Sequence, residues 1–152
     1  MTLTQIENLS FRRSYAGHEN LTDKQLDSLY ETNPIPLSKI KPNFLKQLNK
    51  NKILNKGGLV VECFKDSLDK KMLNRKIEIN YSYDFKQSNS INILIKKDNK
   101  KIEKHIDFDD THFIGVKYVD LDNDNIEEIL ILENFYVMNG DNFELLIFKL
   151  NQ

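Results

Sequence analysis

Tyr118-Val119-Asp120-Leu121-Asp122-Asn123-Asp124-Asn125-Ile126-Glu127-Glu128-Ile129-Leu130-Ile131-Leu132 joins two apolar runs through a block of acids and amides. Aspartates stand at the alternate positions 120, 122 and 124, and Glu128 follows four residues after the last of them. Asn123 and Asn125 are of a residue type that accepts the left-handed backbone of a tight turn. The flanking runs of Val, Ile and Leu have strand character. The stretch therefore predicts a strand, a turning loop and a second strand, with the carboxylates of the loop directed inward together.

Oxygen donors at this spacing suit a hard cation, and Ca²⁺ is the first candidate. With Asp120 as the first position, Asp122 is third, Asp124 fifth, Ile126 seventh and Glu128 ninth. The candidate ligands are the carboxylates of Asp120, Asp122, Asp124 and Glu128, with Ile126 contributing its backbone carbonyl. Mg²⁺ prefers fewer protein ligands, and Zn²⁺ favours Cys or His, which the loop lacks. The plainer alternative is an Asp/Asn-rich hairpin turn that binds nothing.

An EF-hand would carry Gly at the sixth position and Glu at the twelfth, where this chain has Asn125 and Ile131. The Asp-x-Asp-x-Asp-x-x-x-Glu spacing instead resembles the calcium loop of FG-GAP and VCBS-type repeats, over residues 118–132 only. That resemblance implies a Ca²⁺ loop between two strands with an apolar run after it, as Glu128-Ile129-Leu130-Ile131-Leu132 follows here. The family usually has Gly where Asn125 stands, often has Asp where Glu128 stands, and usually repeats the loop. No second copy is found in this chain.

The rest of the chain predicts an α+β fold in one domain, residues 1–152: a short helical N-terminal region packed on an antiparallel β-meander of six to seven strands. Residues 21–54 read as two helices. Thr22 and Gln25 form a capping box for the first, with Leu26, Leu29 and Tyr30 on one face. Pro42 suits the first turn of the second, with Phe44, Leu45 and Leu48 on its face and Gly57-Gly58 as its stop. Strands fill residues 59–150. Leu59 to Phe64 reads as a buried strand, and Asp66 to Asn74 as a helical turn or loop. Lys76 to Phe85 and Ile91 to Ile95 alternate apolar and polar residues. Asp98-Asn99-Lys100-Lys101 predicts a hairpin turn. Phe113 to Val119, Ile126 to Val137 and Phe143 to Leu150 complete the series.

Charge is unevenly distributed along the 152 residues. Residues 1–56 hold nine Lys/Arg and five Asp/Glu (9 − 5 = +4), residues 57–106 eleven and seven (+4), and residues 107–152 two and eleven (−9), giving the overall −1. A basic body with an acidic last third argues against a general nucleic-acid binder and agrees with a cation site in that third. No apolar run approaches the roughly 20 residues needed to span a membrane. Cys63 is the single cysteine, so no intrachain disulfide forms. Its apolar neighbours make it a buried, inert thiol.

No catalytic motif is present: there is no phosphate loop, no Gly-x-Ser-x-Gly and no His-Glu-x-x-His. The expectation is a noncatalytic protein-binding domain with a structural Ca²⁺ loop, in the manner of an inhibitor or immunity protein of the bacterial cell envelope. Its partner would be another protein, such as a toxin or hydrolase. A site of modest affinity suits millimolar Ca²⁺ in a periplasmic or extracellular setting. No signal segment is visible near Met1, so an export signal has been removed or the chain is cytoplasmic. Two alternatives stand beside this reading. One is a metal-assisted hydrolase in which Glu62, Glu78, His105 and Asp107 meet in a cleft, or the cation activates water. The other is a metal-free cytoplasmic partner-binding protein.

Overall fold

The run Ile129-Leu130-Ile131-Leu132 leaves no polar side chain for either face of a strand, and all four residues are fully buried. Such a run marks a strand covered on both sides, and a sheet covered on both sides is the centre of this molecule. The computed structural model describes residues 1–14, 33–34, 41–55, 58–83, 89–108, 111–137 and 140–151. Within them the strands are β1 (Thr2–Ser14), β2 (Asn33–Pro34), β3 (Leu54–Asn55), β4 (Gly58–Leu59), β5 (Asp69–Met72), β6 (Arg75–Ser82), β7 (Asn89–Lys97), β8 (Lys100–Phe108), β9 (His112–Val119), β10 (Glu128–Val137) and β11 (Gly140–Asn151). One helix, α1 (Pro42–Lys50), precedes β3, and a 3-10 turn spans Val61–Cys63.

The central sheet runs β2-β1-β11-β10-β9, and every pairing is antiparallel. Its two faces bury different partners. Leu130, Leu132, Leu145 and Ile147 face α1 (Phe44, Leu48) and the β3–β4 hairpin (Leu54, Leu59). Ile129, Ile131, Leu146 and Phe148 face the second sheet, β5-β6-β7-β8, through Ile77, Ile79, Ile91, Ile93 and Ile95. The result is three layers: helix and hairpin, central sheet, outer sheet. Each fully buried Ile or Leu of the middle layer contributes roughly 1.5–3 kcal/mol of transfer free energy.

Two bulges adjust the central sheet. One, between Gln5 and Glu7 of β1, gives Ile6 no partner in the ladder and reverses which face the odd-numbered residues address. Leu3 accordingly packs with the outer-sheet core, while Leu9 and Phe11 belong to the helix-side core. The other lies on β9 opposite Leu132 and Glu133, where Ile114 is the additional residue. Beside it, residues 64–66 run along the open edge of β9. The Asp66 N–H donates to the Val116 carbonyl (3.1 Å), and the Tyr118 N–H donates to Asp66 Oδ2 (2.8 Å). Gly115 makes this approach possible, since a Cβ there would stand 2.0 Å from the Phe64 carbonyl oxygen.

This architecture corrects the α+β expectation: the molecule is mostly β, close to a sandwich, with three antiparallel sheets. The N-terminal residues 2–14 form a strand, not part of a helical region. The helix expected after Thr22 lies outside the described residues. The helix begun by Pro42 forms, burying Phe44, Gln47 and Leu48, but it ends well before Gly57-Gly58. Lys52 takes a left-handed backbone (φ 58°), and the Ile53 N–H closes on the Leu48 carbonyl at 2.9 Å. Leu59 to Phe64 is not a continuous strand: β4 stops at Leu59, and the 3-10 turn follows. Within the expected turn or loop 66–74, Asp69–Met72 pairs with β6 as a strand. Nor is the β region a single meander. β5 to β8 follow one another, whereas β1 returns to pair with β11 at the heart of the other sheet.

Candidate metal centre

The loop between Val119 and Glu128 closes a ladder in which these two residues are paired. Its turn is made by Asn123 (φ 61°) and Asn125 (φ 66°), both in the left-handed region that asparagine tolerates. Asp120 Oδ2 accepts a hydrogen bond from the Asn125 N–H at 2.8 Å, and Asp124 Oδ1 accepts one from the Ile126 N–H at 2.9 Å. Glu128 reaches back so that Oε2 accepts the Leu121 N–H. Asp120, Asp124 and Glu128 thus each use one oxygen to shape the backbone.

Together these bonds bring Asp120, Asp122, Asp124 and Glu128 so close that one oxygen from each lies within 4.8 Å of the others. The acidic cluster could therefore hold a metal ion. Glu128 is 0% exposed, and its Oε1 has no hydrogen-bond partner. Asp120 Oδ1 and Asp122 Oδ1 are also buried and without partners. Buried acceptors are ordinarily satisfied, so three orphaned oxygens in one cluster are what a cation would complete. Burial, reinforced by the charges of Asp122 and Asp124, pushes the Glu128 carboxyl up to about 7, against the pull of the Leu121 N–H and Lys149.

Sequence reasoning missed Lys149, which projects from β11 into this cluster. Its ammonium donates to Asp122 Oδ2 and, at 2.9 Å, to Asp124 Oδ2, and it stands 3.9 Å from Glu128 Oε1. Hydrogen bonds to those two aspartates raise its pKa. Asp124 is held below the usual carboxylate range: desolvation works the other way but is outweighed by Lys149 and the Ile126 N–H. A signal for Lys149 was present in the sequence, since it is the lone cation in Phe143 to Leu150, a run that is otherwise apolar after Glu144. One ammonium against these carboxylates leaves the cluster negative whether or not Glu128 is ionised. Ile126 sits in the loop with its side chain against the outer-sheet core.

The other candidate groups do not converge. His105 and Asp107 share a 2.8 Å hydrogen bond on β8, with side chains 56% and 67% exposed. Glu78 lies on the outer face of β6, where it pairs with Lys76 and Lys96. Glu62 is in the 3-10 turn beside the helix-side core, with the central sheet between it and the outer sheet. Cys63, expected to be buried, is only partly so; it packs against the helix-side core, and burial raises its thiol pKa. No helix among the described residues is long and apolar enough to cross a membrane. No protein-family model matches the chain, and neither the curated proteins nor the solved structures give a match.

Proposed function

We propose that this chain is a noncatalytic protein-binding domain whose β9–β10 loop is organised by Ca²⁺. The observation that carries the reading is the orphaned Oε1 of fully buried Glu128, set among three aspartates. Asp120, Asp122, Asp124 and Glu128 would hold the ion, with the carbonyl of Ile126 as a further donor. All are hard oxygen ligands, the set Ca²⁺ prefers. The ion's contribution is charge neutralisation, which fixes the hairpin and, through β10, the central sheet. Support for a binding surface comes from exposed apolar side chains at one end of the sheets: Tyr81, Tyr83 and Ile114 are 38%, 46% and 38% exposed, and Tyr81 stacks on Phe113 at 5.5 Å. Grouped exposed aromatics mark contact surfaces. Millimolar Ca²⁺ outside the cytoplasm suits a site of this kind.

Thermal melts in calcium and in chelator test the ion. A ligand at about 100 times its Kd adds ~2.7 kcal/mol, which raises the melting temperature of a domain this size by about 5–10 °C. Asp122→Ala is expected to abolish that rise and remain folded. Identical melts with and without calcium, together with silent titration calorimetry, would falsify the ion site. A second reading then takes its place, and Lys149 favours it: the ammonium would be the permanent counter-ion of a metal-free loop.

A further inference from the structure

The end of the outer sheet made by its two hairpin turns is crowded with cations. Leu73 and Asn74 (φ 50° and 62°) turn β5 into β6, and Asp98 (φ 52°) turns β7 into β8. The register then aligns lysines across all four strands: Lys71 opposite Lys76, Lys76 opposite Lys96, and Lys96 opposite Lys101. Lys97 is opposite Lys100, one position nearer the turn. Like charges directly opposite one another oppose sheet formation, so this arrangement works against folding unless something offsets it. Glu78 and Glu103 relieve Lys76, Lys96 and Lys101. Lys71, Lys97 and Lys100 have no ion pair among the described residues.

Arg75 lies on the face of the sheet opposite to the lysine row, the face it shares with Lys97 and Lys100, since side chains alternate along each strand. It is 2% exposed, its Nε and Nη1 have no hydrogen-bond partner, and no carboxylate among the described residues pairs with it. A buried guanidinium with no acid beside it and two unpaired nitrogens is a charge only partly compensated. It borders two cavities, of about 340 Å³ and about 680 Å³. Lys97 and Lys100 line the first, Lys71, Lys76, Lys96 and Lys97 line the second, and among the described residues Asp98 is the one carboxylate on either. The cavities and the orphaned donors are independent observations with the same implication.

We propose that the inner face of this end of the outer sheet is a binding site for a small phosphate-bearing anion, seated over Arg75 between Lys97 and Lys100. A phosphate group carries more than one charge on closely spaced oxygens. It can therefore satisfy a guanidinium fork and several ammonium point charges at once, which a single carboxylate cannot. The cavities leave room for an organic body attached to the phosphate. The site shares no residue with the acidic loop, and the proposal stands whether or not that loop holds calcium.

Calorimetric titration of the full chain with inorganic pyrophosphate, at about 0.15 M salt to screen diffuse attraction, tests the proposal, with citrate titrated in parallel. Saturable pyrophosphate binding is expected, weakened at least about tenfold by Arg75→Gln and likewise by Lys97→Gln combined with Lys100→Gln. The second variant changes side chains at the rim of the cavity, so the test survives a folding defect in the first. Lys46→Gln, on the exposed face of α1, and Asp122→Ala are expected to leave binding unchanged. Absence of saturable binding overturns the proposal. So does equal weakening by Lys46→Gln, which would show diffuse attraction only, and so does citrate binding as tight as pyrophosphate.

Discussion

Lys149 places an ammonium within reach of the same carboxylates that a metal would need. An ion and this side chain compete for Asp122 and Asp124, and in water Lys149 can withdraw because its side chain is still 23% exposed. Lys149→Met keeps the length of the side chain and removes the charge. Calcium affinity is then expected to rise by about tenfold, equivalent to ~1.4 kcal/mol. In chelator the variant is expected to melt below the parent, since the acids lose their internal counter-ion. Titration calorimetry with paired melts measures both effects. Unchanged affinity in the variant means that the ammonium and the ion do not share a position.

At the scale of the element, the edge of β9 depends on backbone contact more than on side chains. Residues 64–66 can lie along it only because Gly115 has no Cβ. Gly115→Ala forces the Phe64 carbonyl away and strains the Asp66 bonds to β9. The expected loss is ~2–4 kcal/mol in urea unfolding, against under about 1 kcal/mol for the partly exposed neighbour in Ile114→Ala. Equal losses at the two positions would show that the crossing segment gives way freely. Elements differed in how far they could be read from sequence, for physical reasons. The alternation in β6 and β7 was plain because each strand buries one face only. The acidic loop was equally plain, since its four carboxylates lie within nine residues of one another. β1 was hidden: its bulge at Ile6 breaks the alternation, so Leu3, Ile6 and Leu9 recur at a three-residue spacing that suggests a helix more than a strand. The run in β10 gave its strand but not its two coverings, because continuous hydrophobicity does not say what lies on either side. Lys149 showed only as a lone cation in an apolar run and Arg75 not at all, since the groups around each come from distant parts of the chain.

For the whole molecule, burial of acids sets a pH dependence. Glu133 is 2% exposed and stands directly opposite Glu144 across the β10–β11 ladder. Burial, then the charge of Glu144, raises its carboxyl to about 8, while the nearby Thr111 hydroxyl opposes the rise. Glu128 is raised to about 7. Both start from an ordinary value of 4.5, so between that pH and their folded values the unfolded chain binds fewer protons than the native one. Stability contributed by the protonated forms is therefore complete below 4.5 and is lost as pH rises through 7 and 8. In chelator, melting is expected to fall steadily from about pH 5 to about pH 8, and Glu133→Gln is expected to recover ~2–4 kcal/mol at the upper end. Melting temperatures across that range, parent against variant, decide it. A rise over the interval would mean that the two buried acids do not govern the titration.

The pairing of β1 with β11 also has a consequence for biosynthesis. Among the described strands β1 is translated before the others, yet its principal neighbour, β11, is translated after them. β5 to β8 can associate as they appear, because β6, β7 and β8 each pair with the strand just before. β1 has no such option. Its apolar residues must wait, shielded or aggregating, until translation delivers Gly140–Asn151. A nascent chain arrested before that point should demand chaperone protection that the released protein does not.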